Sequence, residues 1–148
     1  PSFKMRIRPI EDDDVAGVTA LWDRCGLLRP WNDPMSDIRF ARETKDSEIF
    51  IGLDDKALVA TVMCGHDGHR GWLYYLAVEP DRQGERFGRA MVRHAEDRLR
   101  GLGVPKVELM IRKTNTGIVR FYGALGYETE PVVTMSRWLR QLGDTSHG

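Results

Sequence analysis

Cysteine is scarce in this chain, and the two present among 148 residues, Cys25 and Cys64, cannot staple a small disulfide scaffold. Neither has a Cys or His neighbour at metal-ligand spacing, so no metal site is expected and both thiols are read as free and buried. Net charge is lacking too. Twenty-two basic residues balance twenty-two acidic ones, which removes the overall field that draws a protein to nucleic acid or to an anionic membrane surface. No apolar run approaches a bilayer span, and residues 1–6 show no secretory apolar stretch, so no membrane partner and a cytoplasmic location are expected. Internal repeats and low-complexity segments are also missing. One compact domain over residues 1–148 remains, large enough for a core and short of two ordinary domains.

What is there is a regular succession of strand and helix signals. Residues 5–10 alternate and read as an opening strand, after which Glu11, Asp12, Asp13 and Asp14 place acids at a helix start. Val15, Val18, Leu21 and Trp22 keep helical spacing until Gly26. The loop at residues 28–34 carries two prolines and an exposed Trp31 before a second helix containing Ile38, Phe40 and Ala41. Residues 49–53 and 58–63 form a hairpin pattern around Asp54, Asp55 and Lys56. A turn at residues 67–71 leads into a strand at 72–78. Phe87, Met91, Ala95, Leu99 and Leu102 mark the apolar face of the next helix, which stops near Gly101 or Gly103. Residues 104–111 read as another strand, a helix starts at Asn115, and residues 131–138 are expected to close the sheet. The tail, residues 141–148, is expected to be loose. This alternation favours an α/β (α+β mixed) fold with helices on the faces of a mixed sheet.

Residues 79–92 hold the most specific local signal. A glycine-bearing turn follows an apolar strand and opens an amphipathic helix. The first amides of a helix have no intrahelical partner and lie at the positive end of its dipole, so they can converge on a phosphate. Arg82, Arg86 and Arg89 add charge around the same turn. No Lys-Ser or Lys-Thr follows the glycines, and the three-glycine dinucleotide spacing is absent. From the turn alone, a phosphate site and an ordinary helix start both stay open.

The run Gln83, Gly84, Glu85, Arg86, Phe87, Gly88 resembles the pyrophosphate loop of the GNAT (GCN5-related) N-acetyltransferase superfamily, Q/R-x-x-G-x-G/A. Arg86 departs from the pattern by standing at the central glycine. The family's other signature, N-x-x-A/V-x-x-F/Y-Y-x-x-x-G-F/Y, is matched by Asn115, Ile118, Phe121, Tyr122, Gly126 and Tyr127. By their residue types alone, Asn115 is a helix N-cap and Tyr122 a half-buried core residue whose hydroxyl finds a nearby carbonyl. Both signatures, in order and at sensible separation, carry the resemblance over almost the whole chain. Residues 27–34 and 67–71 look like the YpeA-like branch of the superfamily.

The resemblance implies the GNAT acyl-CoA N-acyltransferase fold, a mostly antiparallel mixed sheet in which a parallel strand pair splays apart and helices cover both faces. It implies acetyl-CoA as cosubstrate, its pantetheine arm bound by main-chain groups of Leu76, Ala77 and Val78 and its diphosphate by the loop Gln83, Gly84, Glu85, Arg86, Phe87, Gly88 and Arg89, with Asn115 completing the site. It also implies direct attack by an amine within a ternary complex, with Tyr122 assisting the departing thiolate. A tyrosine titrates near pKa ~10 and a thiol near ~8.5, so full proton transfer is uphill by about 2 kcal/mol. Hydrogen bonding to the developing thiolate is the role expected of Tyr122.

The general base is less well marked. Relatives often place Glu or His on the central strand, where this chain has Trp72 and Tyr74. Glu108, on the neighbouring strand, is the replacement of choice, followed by Glu79, Asp67 and His69, each of which also reads as a solvated strand or turn residue. Arg29, Trp31, Asn32 and Asp33, with Asp67, His69 and Arg70, are the acceptor-site candidates, against a reading in which they pack and cap locally. The acceptor expected is a small-molecule or peptide amine, and apolar strands near the C-terminus are compatible with a homodimer. The altered loop and the unmarked base motivate an alternative of a different class, a non-catalytic acyl-CoA-binding sensor module.

Overall fold

The computed structural model describes residues 5–140. The chain divides into two compact units, Pro1–Leu109 and Met110–Gly148. The first contains a five-stranded sheet in the order β1 (Met5–Pro9), β2 (Ser47–Asp54), β3 (Ala57–His66), β4 (Gly71–Val78) and β5 (Val107–Glu108). The first four strands pair antiparallel, and β4 pairs with β5 in parallel. The expected hairpin is present, turning at Asp55, whose φ of 57 lies in the left-handed region that a short aspartate tolerates.

Two helices cover one face of this sheet. Helix α1 (Val15–Arg24) starts from the acidic run as expected, where Glu11 and Asp14 form a reciprocal capping box and Arg8 Nη1 donates to Asp14 Oδ2 at 2.7 Å. The stop at Gly26 has φ 69, a conformation that costs glycine nothing. Asp33 caps α2 (Pro34–Glu43), its side chain accepting from the Met35 amide. From these helices Val18, Leu21, Trp22, Ile38 and Ala41 meet Ile49, Ile51 and Leu53 of β2 in one buried cluster. Alternate residues of β2 point the other way, toward helix α3 (Phe87–Gly101). Phe50 there meets His94 edge-on, and a methyl group on Gly52 would lie 3.0 Å from the Met91 sulfur. Helices thus sandwich the sheet within this unit.

Three expectations need correction. The strand placed at 104–111 is a two-residue bridge, Val107–Glu108, because Pro105 has no N–H to give a ladder and β4 offers only Gly71 and Trp72 as partners. Leu102 falls beyond the end of α3 and is exposed, not part of its buried face. Residues 131–138 form no strand with any described residue. Val132, Val133 and Met135 are 70%, 86% and 90% exposed, so neither side of that segment is covered as a sheet strand requires.

The second unit is built around helix α4 (Thr116–Ala124). Asn115 is its N-cap, with Oδ1 accepting from the Ile118 amide at 3.2 Å, and Gly126 follows its end with φ 100. The tail at 141–148 lies outside the described residues. Among the described residues, no helix is long and apolar enough to cross a membrane.

Candidate active site

Strand β4 is the first component of the site. Its β5 edge is paired only at Gly71 and Trp72, so among the described strands the remainder, as far as Val78, has no ladder partner on that side. This is the parting of the parallel pair that the resemblance implied. On the β3 side the register shifts. Thr61 pairs with Ala77 and Met63 with Tyr74, so Val62 stands opposite both Tyr75 and Leu76. That extra residue is a β-bulge, and Tyr75 within it has φ 51. Downstream, the Val78 carbonyl accepts from Gln83 Nε2 and Cys25 Sγ, both at 3.3 Å, while the Glu79 amide donates to the Val59 carbonyl at 2.8 Å. The peptide link between Val78 and Glu79 is therefore anchored from both sides.

The loop after β4 turns twice through the left-handed region, at Gly84 with φ 87 and at Arg86 with φ 70, ψ 10. Arg86 thus occupies the backbone conformation that explains why a glycine usually stands there. Its side chain is exposed and it serves as N-cap of α3 with no side-chain cap. The first intrahelical bond there runs from the Ala90 amide to the Arg86 carbonyl at 3.1 Å, so the amides of Phe87, Gly88 and Arg89 precede the helical ladder. Successive amides presented by such a turn form a concave anion site.

The three arginines expected to share that charge divide into two kinds. Arg82 is committed to Asp54 and Glu85, stacks 4.9 Å over the Phe87 ring, and is held protonated by those carboxylates. It braces the loop against the β2–β3 turn. Arg86 and Arg89 form no ion pair with any described carboxylate, and both are exposed. A diphosphate would fit this set of amides and two uncommitted guanidinium groups.

The base candidates are also placed. Glu79 is gripped by Arg24 at 2.8 and 2.6 Å. Asp67 accepts from the amides of Arg70 and His69 and from Trp72 Nε1, and those backbone bonds hold its carboxyl down to about 2. It is a turn-capping residue and too weak a base for the role. His69 is an exposed turn residue. Glu108 pairs with β4 through Trp72 and lies 3.8 Å from Arg70 Nε, the loosest of these partnerships.

Among the acceptor candidates, Arg29 donates to the carbonyls of Gly26 and Leu28, and Asp33 caps α2. The local-capping reading accounts for both. Trp31 is exposed at 41%. In the second unit Tyr122 is buried and packs edge-on against Phe121 and Tyr127, with ring centroids 5.1 and 5.2 Å apart. Sequence patterns do not foretell the bulge, because nothing in a tyrosine codon position marks a left-handed φ. The one available hint is Thr61, a hydroxyl within the otherwise apolar run 57–64 of β3.

Residues 15–127 match the Acetyltransferase (GNAT) family, and the chain belongs to it. It is 40% identical over 136 residues to an acetyltransferase of Yersinia pestis (strain Pestoides F), covering 91% of this chain and 96% of that one. In fold it is similar to the aminoglycoside N-acetyltransferase AAC(6')-Iy in complex with CoA, with a TM-score of 0.80, 14% identity and coverage of 93% and 96%. It is also similar to the ribosomal-protein-S18-alanine N-acetyltransferase from Escherichia coli, with a TM-score of 0.71, 21% identity and coverage of 83% and 77%. The protein is a GNAT-family acetyltransferase.

Proposed function

We propose that this chain transfers the acetyl group of acetyl-CoA to a primary amine, small molecule or peptide, by direct attack in a ternary complex. The observation that carries the reading is the double left-handed turn at Gly84 and Arg86, which delivers the open amides of α3 to one place beside two uncommitted arginines. In this reading Gln83, Gly84, Glu85, Arg86, Phe87, Gly88 and Arg89 bind the diphosphate. Main-chain groups of Leu76, Ala77 and Val78, on the unpaired edge of β4, hold the pantetheine arm, and an amide near Val78 polarises the thioester carbonyl. Tyr122 donates a hydrogen bond to the leaving thiolate, Asn115 supports the site, and Glu108 receives the amine proton. The family match crosses from residue 15 to residue 127, and so supports both units acting as one domain.

The relatives bear on the acceptor only as a range. One is named for aminoglycosides and another for a ribosomal-protein alanine, both amine substrates. An α-amine near pKa ~8 has a useful neutral fraction without a strong base, whereas a lysine near ~10.4 does not. With Glu79 and Asp67 engaged elsewhere, the low-pKa amine is favoured. The sensor alternative loses part of its basis, since the Arg86 backbone is left-handed, the conformation that favours glycine.

A panel of aminoglycosides, polyamines and peptides with free N-termini, assayed for CoA release with acetyl-CoA, tests the reading. Turnover of an amine, falling about 10²- to 10⁴-fold in Tyr122→Phe as expected for loss of a positioned acid, supports it. Tight acetyl-CoA binding with no turnover across the panel would favour the sensor.

A further inference from the structure

Thr61 is fully buried although its side chain is small and polar, and it sits directly beside the β4 bulge. Its hydroxyl donates to the Tyr75 carbonyl at 2.9 Å and accepts from Trp22 Nε1 at 2.9 Å. At the bulge Val62 stands opposite two residues, Tyr75 and Leu76, and the Thr61 hydroxyl supplies a side-chain donor to the Tyr75 carbonyl there. A hydroxyl has one proton to give, and here it is committed. The Tyr75 ring lies flat on Trp22, centroids 3.8 Å apart at 7°, and its own hydroxyl donates to Asp37 Oδ2 at 2.6 Å on the first turn of α2. Both ends of the left-handed residue, carbonyl and ring, are therefore fixed by α1, α2 and β3.

A left-handed tyrosine inside a strand costs energy, and it persists only where its surroundings hold it. The residue immediately after it is Leu76, the first of the three read here as the pantetheine edge. We infer that Thr61, braced by Trp22, is a positioning residue for the acetyl transfer. It locks the bulge at Tyr75 and so sets the course of the main chain through Leu76, Ala77 and Val78, along the edge that would hold the acyl-pantetheine. This rests on the reading of β4 as the pantetheine edge.

The test compares Thr61→Val, which keeps the shape and removes the hydroxyl, with Thr61→Ser, which keeps the hydroxyl. Ile49→Val, a change in the same buried cluster but on β2, which does not pair with β4, controls for plain loss of stability. Amide hydrogen exchange at residues 75–78 is measured first, without ligand, and CoA affinity by calorimetry second. Thr61→Val is expected to speed exchange at these amides and to weaken CoA binding about tenfold, the order set by stranding a buried donor and acceptor. Thr61→Ser should restore both, and Ile49→Val should change neither. Unchanged exchange in Thr61→Val, or equal effects from Thr61→Val and Ile49→Val, overturns the positioning role. Failure of the unaltered protein to bind CoA would instead overturn the function reading, leaving the exchange result to judge the lock itself.

Discussion

Arginine at position 86 carries two separable effects, one conformational and one electrostatic, and substitution can pull them apart. With φ 70 and ψ 10 the backbone there is left-handed, which costs a residue with a Cβ about 1–2 kcal/mol. Glycine would remove that cost, but its floppier unfolded chain returns about 0.4–1 kcal/mol of it. Arg86→Gly should therefore be more stable than Arg86→Ala by about 1 kcal/mol, or roughly 2–4 °C in Tm for a chain of this size. Both variants lose the same exposed guanidinium, and exposed charge pairs contribute about 0.2–1 kcal/mol. CoA affinity should therefore fall by up to about fivefold, and alike in the two. Thermal denaturation and calorimetric titration of both variants read these effects independently. Equal stability of the glycine and alanine variants would refute the left-handed assignment, and unchanged CoA affinity in both would remove Arg86 from the diphosphate site.

Other expectations follow from the same geometry. Gly65→Ala would place its methyl carbon 2.7 Å from the Asp46 carbonyl oxygen, a main-chain atom that cannot swing aside, and should cost about 1–3 kcal/mol by denaturant unfolding. Asp67 has its carboxyl depressed to about 2 by the Arg70 and His69 amides. A depressed folded value means that its stabilising contribution is complete above its unfolded value near ~3.9 and is lost as pH falls through about 2. Asp67→Asn should flatten that part of an acid titration of Tm and leave the neutral-pH rate intact, and a lost rate would restore Asp67 as a base. Breaking the Arg24–Glu79 pair with Glu79→Gln should leave the pH–rate profile unshifted if Glu108 is the base, and a shifted limb would exchange their roles.

Much of this arrangement was legible in the chain because the signals were local. The hairpin around Asp55, the acidic cap before α1, the Asn115 cap and Gly126 stop of α4, and the apolar face of α3 each depend on neighbours within a few residues. The parting of β4 from β5 was legible only through family resemblance, since periodicity carries no register information. What escaped were non-local features. Residues 131–138 have the composition of a strand, yet composition cannot supply a partner, and the described sheet gives them none. The bulge at Tyr75 arises from an offset between Thr61 and Met63 on another strand, and Trp22 reaches Thr61 beside it from 39 positions away. Arg86 departs from the loop pattern in residue type, while its backbone takes the left-handed conformation that favours glycine, which the residue letter does not reveal. The site candidates divided along similar lines: Asp67, Glu79 and Arg29 have structural partners, while Arg86 and Arg89 keep their charge uncommitted.

Titration of the isotopically labelled protein with CoA, followed through its backbone amide resonances, addresses the anion site directly. The amides of residues 84–89 are expected to shift first and furthest, and pantetheine, which has no diphosphate, to leave them in place. Saturation by CoA with those amides unmoved would contradict the anion-site assignment.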